Sequence, residues 1–243
     1  NTSATRPGIK PEKMFWCSGW MPLGPQFLRT LYGVSTILWT APASISIVRY
    51  EFGNIGSTPY AIVVLSDGSI YAVNTITGTG TLIAAANTVT TPANGTGMTQ
   101  WGRQFIIIVA NQTNGYFLWD GTLFYGAGTL APTVTVTAGG SGYTSGATAA
   151  ASGGSGSGAT FAVTVSGGVV ISIAITNPGT GYAATDTVTL TISPVGAGSG
   201  ATATVRLMPF AIGGTTAETY TGHVWVALNA TITYSAPCSY DNF

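Results

Sequence analysis

The stretch AIVVLSDGSIYAVN, residues 61–74, constrains the fold more than any other part of the chain. Two runs rich in β-branched and aromatic residues flank Asp67-Gly68. Asp-Gly is a preferred pair for a two-residue type I′ turn, whose twist matches that of the strands it joins. The pattern predicts a hairpin with Leu65 opposite Ile70 and Val64 opposite Tyr71. It recurs in YFLWDGTLFY, residues 116–125, where Asp120-Gly121 forms the tip, Leu118 faces Leu123 and Phe117 faces Phe124. With FIIIVANQTNG ahead of it, the second stretch predicts three successive antiparallel strands. The tips at Asp67 and Asp120 lie 53 residues apart, near the roughly 40 to 50 residues of one propeller blade. Repeated meanders suit propeller blades, although a sandwich also supplies two such tips.

No long stretch keeps helical periodicity, and the best helix candidate is the two turns at 25–31, followed by Gly33. From residue 131 the composition shifts to Gly, Ala, Ser, Thr and Val. A flexible linker has that composition, but this segment repeats itself. GGSGYTSGATAAASGGSGSGATFAVTV (139–165) matches NPGTGYAATDTVTLTISPVGAGSGATATV (177–205) in its GSGY/GTGY and GSGAT elements, with VVISIAIT (169–176) between them. A Gly-Tyr pair at a fixed place in each copy predicts a turn backed by a packing aromatic, hence a folded β module. The expected organisation is a propeller-like β body over 1–130, an inserted repeat module over 131–206, and a return to the body over 207–243. The expected fold class is all-β, propeller-like antiparallel meanders with an inserted small β-sandwich-like module.

The last stretch, HVWVALNATITYSAPCSYDNF, predicts a hairpin of 225–228 and 231–234 about Asn229-Ala230. A hairpin alone is marginal in water and needs a sheet to join. Its partners come either from earlier in the chain or from residues beyond Phe243.

Only 6% of the residues are charged, seven Lys plus Arg against seven Asp plus Glu, where about a quarter is ordinary. A surface so poor in charge is weakly protected against association. It favours an assembly subunit over a freely diffusing enzyme. Zero net charge gives no electrostatic footprint for nucleic acid. The longest apolar run, FIIIVA at 105–110, is far short of a membrane span. The opening NTSATRPGIK has no apolar segment like that of a signal peptide and does not begin with Met. Cys17 and Cys238, near opposite ends, read as free thiols rather than a disulfide framework. The sequons at Asn94 and Asn229 read as chance in a Thr-rich chain.

Three pieces together resemble tailed-bacteriophage virion proteins of the tail-nozzle or tail-hub type. They are RPGIK (6–10) with LRTLYG (28–33); the propeller-like LSDGSIYAVN and NGYFLWDGTLF; and HVWVALNATITYSAPCSYDNF. The last is similar to a recurrent VW-hairpin-TYSAP-x-x-Y-x-x-F pattern, carried here by Trp225, Tyr234, Pro237, Tyr240 and Phe243. The Gly-rich module resembles Ig-like repeats inserted in many phage structural proteins. The resemblance implies a structural subunit in the virion tail, working in a homo-oligomeric ring of its own copies, with portal, adaptor or other tail proteins as neighbours and DNA passing through the lumen. It also implies that the YSAP segment is interior and that further blades follow it. A complete small protein whose terminal hairpin pairs with its own N-terminal half is the alternative.

Enzymatic readings find little to stand on. His223 is the only histidine, no GxSxG elbow exists, and one His with two distant Cys does not make a zinc site. Gly196-Ala-Gly-Ser-Gly200 lacks the Lys and helix of a phosphate loop. A glycosidase needs two carboxylates flanking the scissile bond. Of Glu12, Glu51, Asp67, Asp120, Asp186, Glu218 and Asp241, too few are free of turns and tail to nominate a pair. No catalytic, cofactor or metal residue is expected. Trp101, Trp119, Trp225, Tyr116 and Tyr125 read as core and cross-strand packing, with a glycan platform as the competing use. Arg6, Arg29, Arg49 and Arg103 read as interface partners rather than DNA contacts. The second functional expectation is therefore a host-surface glycan-binding, adhesin-like module.

Overall fold

The structure is a computed structural model and describes residues 20–24, 27–30 and 37–243. The chain divides into two compact units, Asn1–Thr40 and Ala41–Phe243. In the first, β1 (Trp20–Gly24) and β2 (Phe27–Thr30) pair as an antiparallel hairpin. The helix expected over 25–31 is corrected to strand at Phe27–Thr30. Two helical turns are marginal without tertiary support, and strand pairing overrides them. The RPGIK segment, Cys17, Arg6 and Glu12 lie outside the described residues.

The second unit is built from antiparallel meanders. The first meander is β3 (Ile47–Ile55), β4 (Thr58–Leu65), β5 (Ile70–Asn74) and β6 (Gly80–Ala84), adjacent in chain order. The second is β7 (Thr96–Trp101), β8 (Phe105–Ala110), β9 (Tyr116–Trp119) and β10 (Phe124–Tyr125), again in chain order. A single 3-10 turn at Pro92–Asn94 joins them. Strand alternation then decides the stacking. Ile106, Ile108, Phe117 and Trp119 face the first meander, sharing a core with Ile62, Val64, Ile70 and Ala72. Ile107, Val109, Tyr116 and Leu118 point the other way, into a second core. Both faces of the second meander are thus covered, which explains the unbroken apolar run of β8. Each fully buried Ile, Val or Leu here contributes about 1.5–3 kcal/mol.

Both hairpins exist, but the registers differ from the expected ones, by one residue in the first and by two in the second. In the first, Val64 pairs with Ile70 and Val63 with Tyr71. Leu65 N–H meets the Ser69 carbonyl and Gly68 N–H meets the Leu65 carbonyl, both at 3.0 Å. Gly68 has φ +80° while Asp67 is not among the positive-φ residues. A type I′ turn needs positive φ at both central residues, so the loop takes three residues with glycine last. Asp67 caps it, accepting from Ser69 N–H at 3.0 Å and the Ser69 hydroxyl at 2.6 Å. In the second hairpin Trp119 pairs with Phe124 and Leu118 with Tyr125. The turn is centred on Gly121-Thr122, with Gly121 at φ +99°. Asp120 sits before it and accepts from the N–H groups of Thr122 (2.8 Å) and Leu123 (2.7 Å). Phe117 and Phe124 still meet, stacked at 5.4 Å, as diagonal neighbours on one face.

The module begins with β11 (Leu130–Ser141) and continues through β12 (Thr148–Ser152), β13 (Ser157–Ser166), β14 (Val169–Thr180) and β15 (Thr189–Ser193) to β16 (Ser199–Leu207). One sheet has the order β11-β16-β15-β12, and β13-β14 forms the other. The sequence repeat is realised as two interlocked copies. The first strand of copy one, β11, pairs with the last of copy two, β16. The last of copy one, β13, pairs with the first of copy two, β14, and the equivalent strands β12 and β15 pair with each other. The two repeat tyrosines are equally buried, Tyr143 and Tyr182 each at 4% exposure. Each lies on the glycine of the opposite copy: a Cβ on Gly198 would meet the Tyr143 ring at 2.8 Å, and one on Gly156 the Tyr182 ring at 2.4 Å.

After the module, β17 (Thr216–Tyr220), β18 (His223–Leu228) and β19 (Thr231–Tyr234) form a third meander in the order β17-β18-β19. The terminal hairpin is as expected, Leu228 opposite Thr231 and Trp225 opposite Tyr234, with Asn229 at φ +53°. Its sheet partner is β17, earlier in this chain. Val224, Val226 and Ala217 join the core behind Ile107 and Val109. β17 approaches β7 so closely that a Cβ on Gly97 would lie 2.6 Å from Thr216 Cα. The three meanders therefore stack face to face in chain order.

Candidate functional site

The third meander buries one face and exposes the other. With Val224 and Val226 turned inward, the alternation of β18 sends His223, Trp225 and Ala227 outward. Cross-strand pairing sets Tyr220 beside His223, Glu218 and Tyr234 on either side of Trp225, and Ile232 beside Ala227. Tyr220, Ile232 and Tyr234 are 67%, 67% and 56% exposed. Trp225 and Tyr234 stack at 4.8 Å, and the His223 ring lies 5.9 Å and 5.6 Å from them. The indole N–H of Trp225 donates to the Tyr220 carbonyl at 3.2 Å. The His223 Nδ1 lies 2.6 Å from the Ser235 carbonyl. A carbonyl only accepts, so Nδ1 carries the proton. His223 is a bracket for the chain leaving β19.

That departing segment is tied at every step. Ser235, fully buried, accepts from Val224 N–H at 2.9 Å and donates to the Ser239 carbonyl at 2.6 Å. Tyr240 packs on Phe105 at 4.6 Å and on Trp101 at 5.8 Å, and its hydroxyl is hydrogen-bonded to that of Thr133 at the root of the module. Asp241, 7% exposed, pairs with Arg206 on β16. Phe243 meets the Tyr116 ring at 5.0 Å. Of the family-like segment, Trp225, Tyr240 and Phe243 are half-buried, and Tyr234 and Pro237 are exposed. Cys238 is an exposed free thiol.

The other candidates separate cleanly. Tyr116, Tyr125 and Trp119 are core residues at 0%, 2% and 3% exposure. Trp119 meets Tyr60 edge-on at 4.9 Å. The Tyr125 hydroxyl donates to Asp120 at 2.9 Å, and burial with the nearby carboxylate pushes its ionisation far above the ordinary range. Trp101 lies half-buried against Tyr240. Arg49 pairs with Glu51 at 2.7 Å on the exposed strand β3, and Arg29 lies on β2. Asp186 accepts three hydrogen bonds, from Ser155 N–H, the Ser155 hydroxyl and Ala183 N–H, each at 2.8 Å. These hold its carboxyl below the usual value. Asp67 is lowered likewise, first by the Ser69 hydroxyl.

Among the described residues Glu218 is then the carboxylate with neither an ion pair nor a turn to cap. No group of three metal-ligating side chains occurs among them. No helix there is long and apolar enough to cross a membrane. A cleft between the first two meanders, beside Phe52, Met98 and Gln100, has room for about 50 Å³. A small-molecule site takes roughly 300–1,000 Å³. Tyr220, Glu218 and Ile232 were not singled out as one surface in the sequence. The alternation Thr216-Ala217-Glu218-Thr219-Tyr220 was the available signal, but placing it needs the pairing of β17 with β18.

Compared with family models, curated proteins and solved structures, the chain matches none. The fold and the site define an all-β protein of stacked antiparallel meanders with a two-copy β module and an exposed aromatic sheet face.

Proposed function

We propose that this chain is a non-catalytic structural subunit of a bacteriophage tail, of the nozzle or hub type, acting in a homo-oligomeric ring whose lumen passes DNA. The observation that carries the reading is the use of the side chains. Among the described residues, the acids other than Glu218 cap turns or pair with arginines, Tyr116, Trp119 and Tyr125 fill cores, and the third meander leaves an aromatic sheet face exposed. Such a chain is suited to burial against neighbours, in keeping with its 6% charged residues. The resemblance of the VW-hairpin-TYSAP segment supplies the phage context, and with it the virion tail as location and portal or adaptor proteins as neighbours. The mechanism is geometric: stacked sheets make a stiff wall.

Native mass spectrometry of the protein taken from its particle tests this. A ring of equal protomers is expected, and a protomer above 24.7 kDa indicates further blades. A lone monomer overturns the reading. A second reading, a glycan-binding module, is favoured by one observation: on one exposed sheet face Trp225 lies between Glu218 and Tyr234, with Tyr220 on the same strand as Glu218, an arrangement able to meet the apolar face and the hydroxyls of a sugar.

A further inference from the structure

We infer that Tyr240 and Asp241 form a strap that locks the inserted module to the body, across a hinge built into the module's stem. The stem is the strand pair β11 and β16, which carries the chain into the module and out again. Its ladder is broken close to the body. Leu130 pairs with Leu207, and the next pair is Val134 with Val205. Between these pairs lie Ala131, Pro132 and Thr133 on β11 but only Arg206 on β16. An excess of residues on one strand leaves some unpaired and bends the strand. Pro132 also has no N–H to give to a ladder. A few residues of this kind near the end of an element can absorb the backbone change of a hinge.

The strap grips both strands of the stem at that break. The Tyr240 hydroxyl is hydrogen-bonded to that of Thr133, and Asp241 pairs with Arg206. Asp241 is buried and also accepts from the Ser239 hydroxyl at 3.0 Å, whereas Thr133 and Arg206 are exposed. Its other side is fixed to the body. Tyr240 packs on Phe105 and Trp101, and its carbonyl accepts from the Tyr116 hydroxyl. Below the break the stem is rooted independently. Leu130 and Met208 lie in the core, and the Met208 N–H donates to the Thr129 carbonyl at 3.0 Å. Above the break the module leans on the body through the Tyr182 N–H, which donates to the Gly128 carbonyl at 3.1 Å. Once the strap is released, the module turns on residues 131–133 and the Tyr182–Gly128 contact opens. The hinge is independent of whether the chain assembles into a ring.

The test is hydrogen–deuterium exchange on the full chain, read by mass spectrometry. Thr133→Val combined with Arg206→Ala removes both partners of the strap at exposed positions and leaves Tyr240, Asp241 and the body untouched. The amide of Tyr182 and those of residues 204–207 should exchange at least about tenfold faster than in wild type. Strands β8 and β9 of the body and β13 and β14 of the module should keep their protection. Unchanged exchange at Tyr182 overturns the hinge even where the stem amides speed up, because the stem then frays without moving the module. Faster exchange in all of these strands overturns it too, since the contacts then serve stability in general. Tyr240→Phe removes the same hydroxyl contact from the strap's side while keeping its ring packing, and reads the lock even where the double variant fails to fold. It should speed the same amides by about threefold or more, and wild-type exchange in this variant overturns the assignment of Tyr240 to the lock.

Discussion

The buried hydroxyl of Tyr116 donates its hydrogen bond to the backbone carbonyl of Tyr240, 124 residues further along the chain. The phenol is at 0% exposure, and burial raises its ionisation far above the ordinary value. It therefore stays neutral and serves as a donor. This contact, with the Tyr116–Phe243 ring pair and the Arg206–Asp241 ion pair, ties the terminal segment to the second meander and to the module at once.

Removing only that hydroxyl isolates the contact. Tyr116→Phe keeps the ring and its packing on Phe243 but leaves the Tyr240 carbonyl without this donor. A loss of about 1–2 kcal/mol in unfolding free energy is expected. Urea denaturation of both proteins measures it. An unchanged midpoint shows that the segment is held by ring packing alone.

The all-β class was legible because Asp-Gly turns, β-branched runs and glycine punctuation all point the same way. The registers were not. Asp67 and Asp120 were assigned to the turns as backbone positions, whereas both act through their carboxylates, and the pairing moves by one residue at the first hairpin and by two at the second. The repeat was legible as two copies of GxGY and GSGAT. Their interlocking was not, because a repeat in sequence leaves open whether each copy closes on itself or on the other. At the candidate site, Trp225 and Tyr234 were marked by type and hairpin position. Glu218 and Tyr220 depend on a strand pairing that periodicity alone does not assign.

Interlocking has an energetic signature. Gly156 and Gly198 hold equivalent places, each under the tyrosine of the opposite copy, with room for no Cβ. Gly156→Ala and Gly198→Ala should each cost about 1–3 kcal/mol by overpacking, and the two costs should be similar. Thermal unfolding of the two variants checks this. A large cost at one position and none at the other would show that the copies are not equivalent in packing.

Gly68 separates backbone strain from crowding. Its φ is +80°, and an added Cβ would lie 2.0 Å from the Val89 carbonyl oxygen, whereas Gly167, also at positive φ (+60°), has nothing within 4 Å. Gly167→Ala bears the conformational cost only, about 1 kcal/mol. Gly68→Ala adds a backbone clash that the loop cannot relieve without losing the Val89 N–H to Gly68 carbonyl bond of 3.0 Å. It should exceed the Gly167 cost by about 1–3 kcal/mol. Equal midpoints for the two variants would mean that the 66–68 loop is not pinned by Val89.

The acid limb of stability should report on Asp186. Its carboxyl lies below the ordinary 3.8, first through the N–H of Ser155, then that of Ala183, then the Ser155 hydroxyl. A carboxylate that is more acidic folded than unfolded favours the folded state above its ordinary value. The benefit drains away as pH falls through the lowered one. Wild type should therefore exceed Asp186→Asn in stability at neutral pH, and the gap should close once the pH drops below the carboxylate range. Urea midpoints of both proteins between about pH 7 and pH 2.5 follow that gap directly. A gap that persists unchanged at the acid end would assign the effect to hydrogen-bond geometry at Ser155 and Ala183 rather than to the charge.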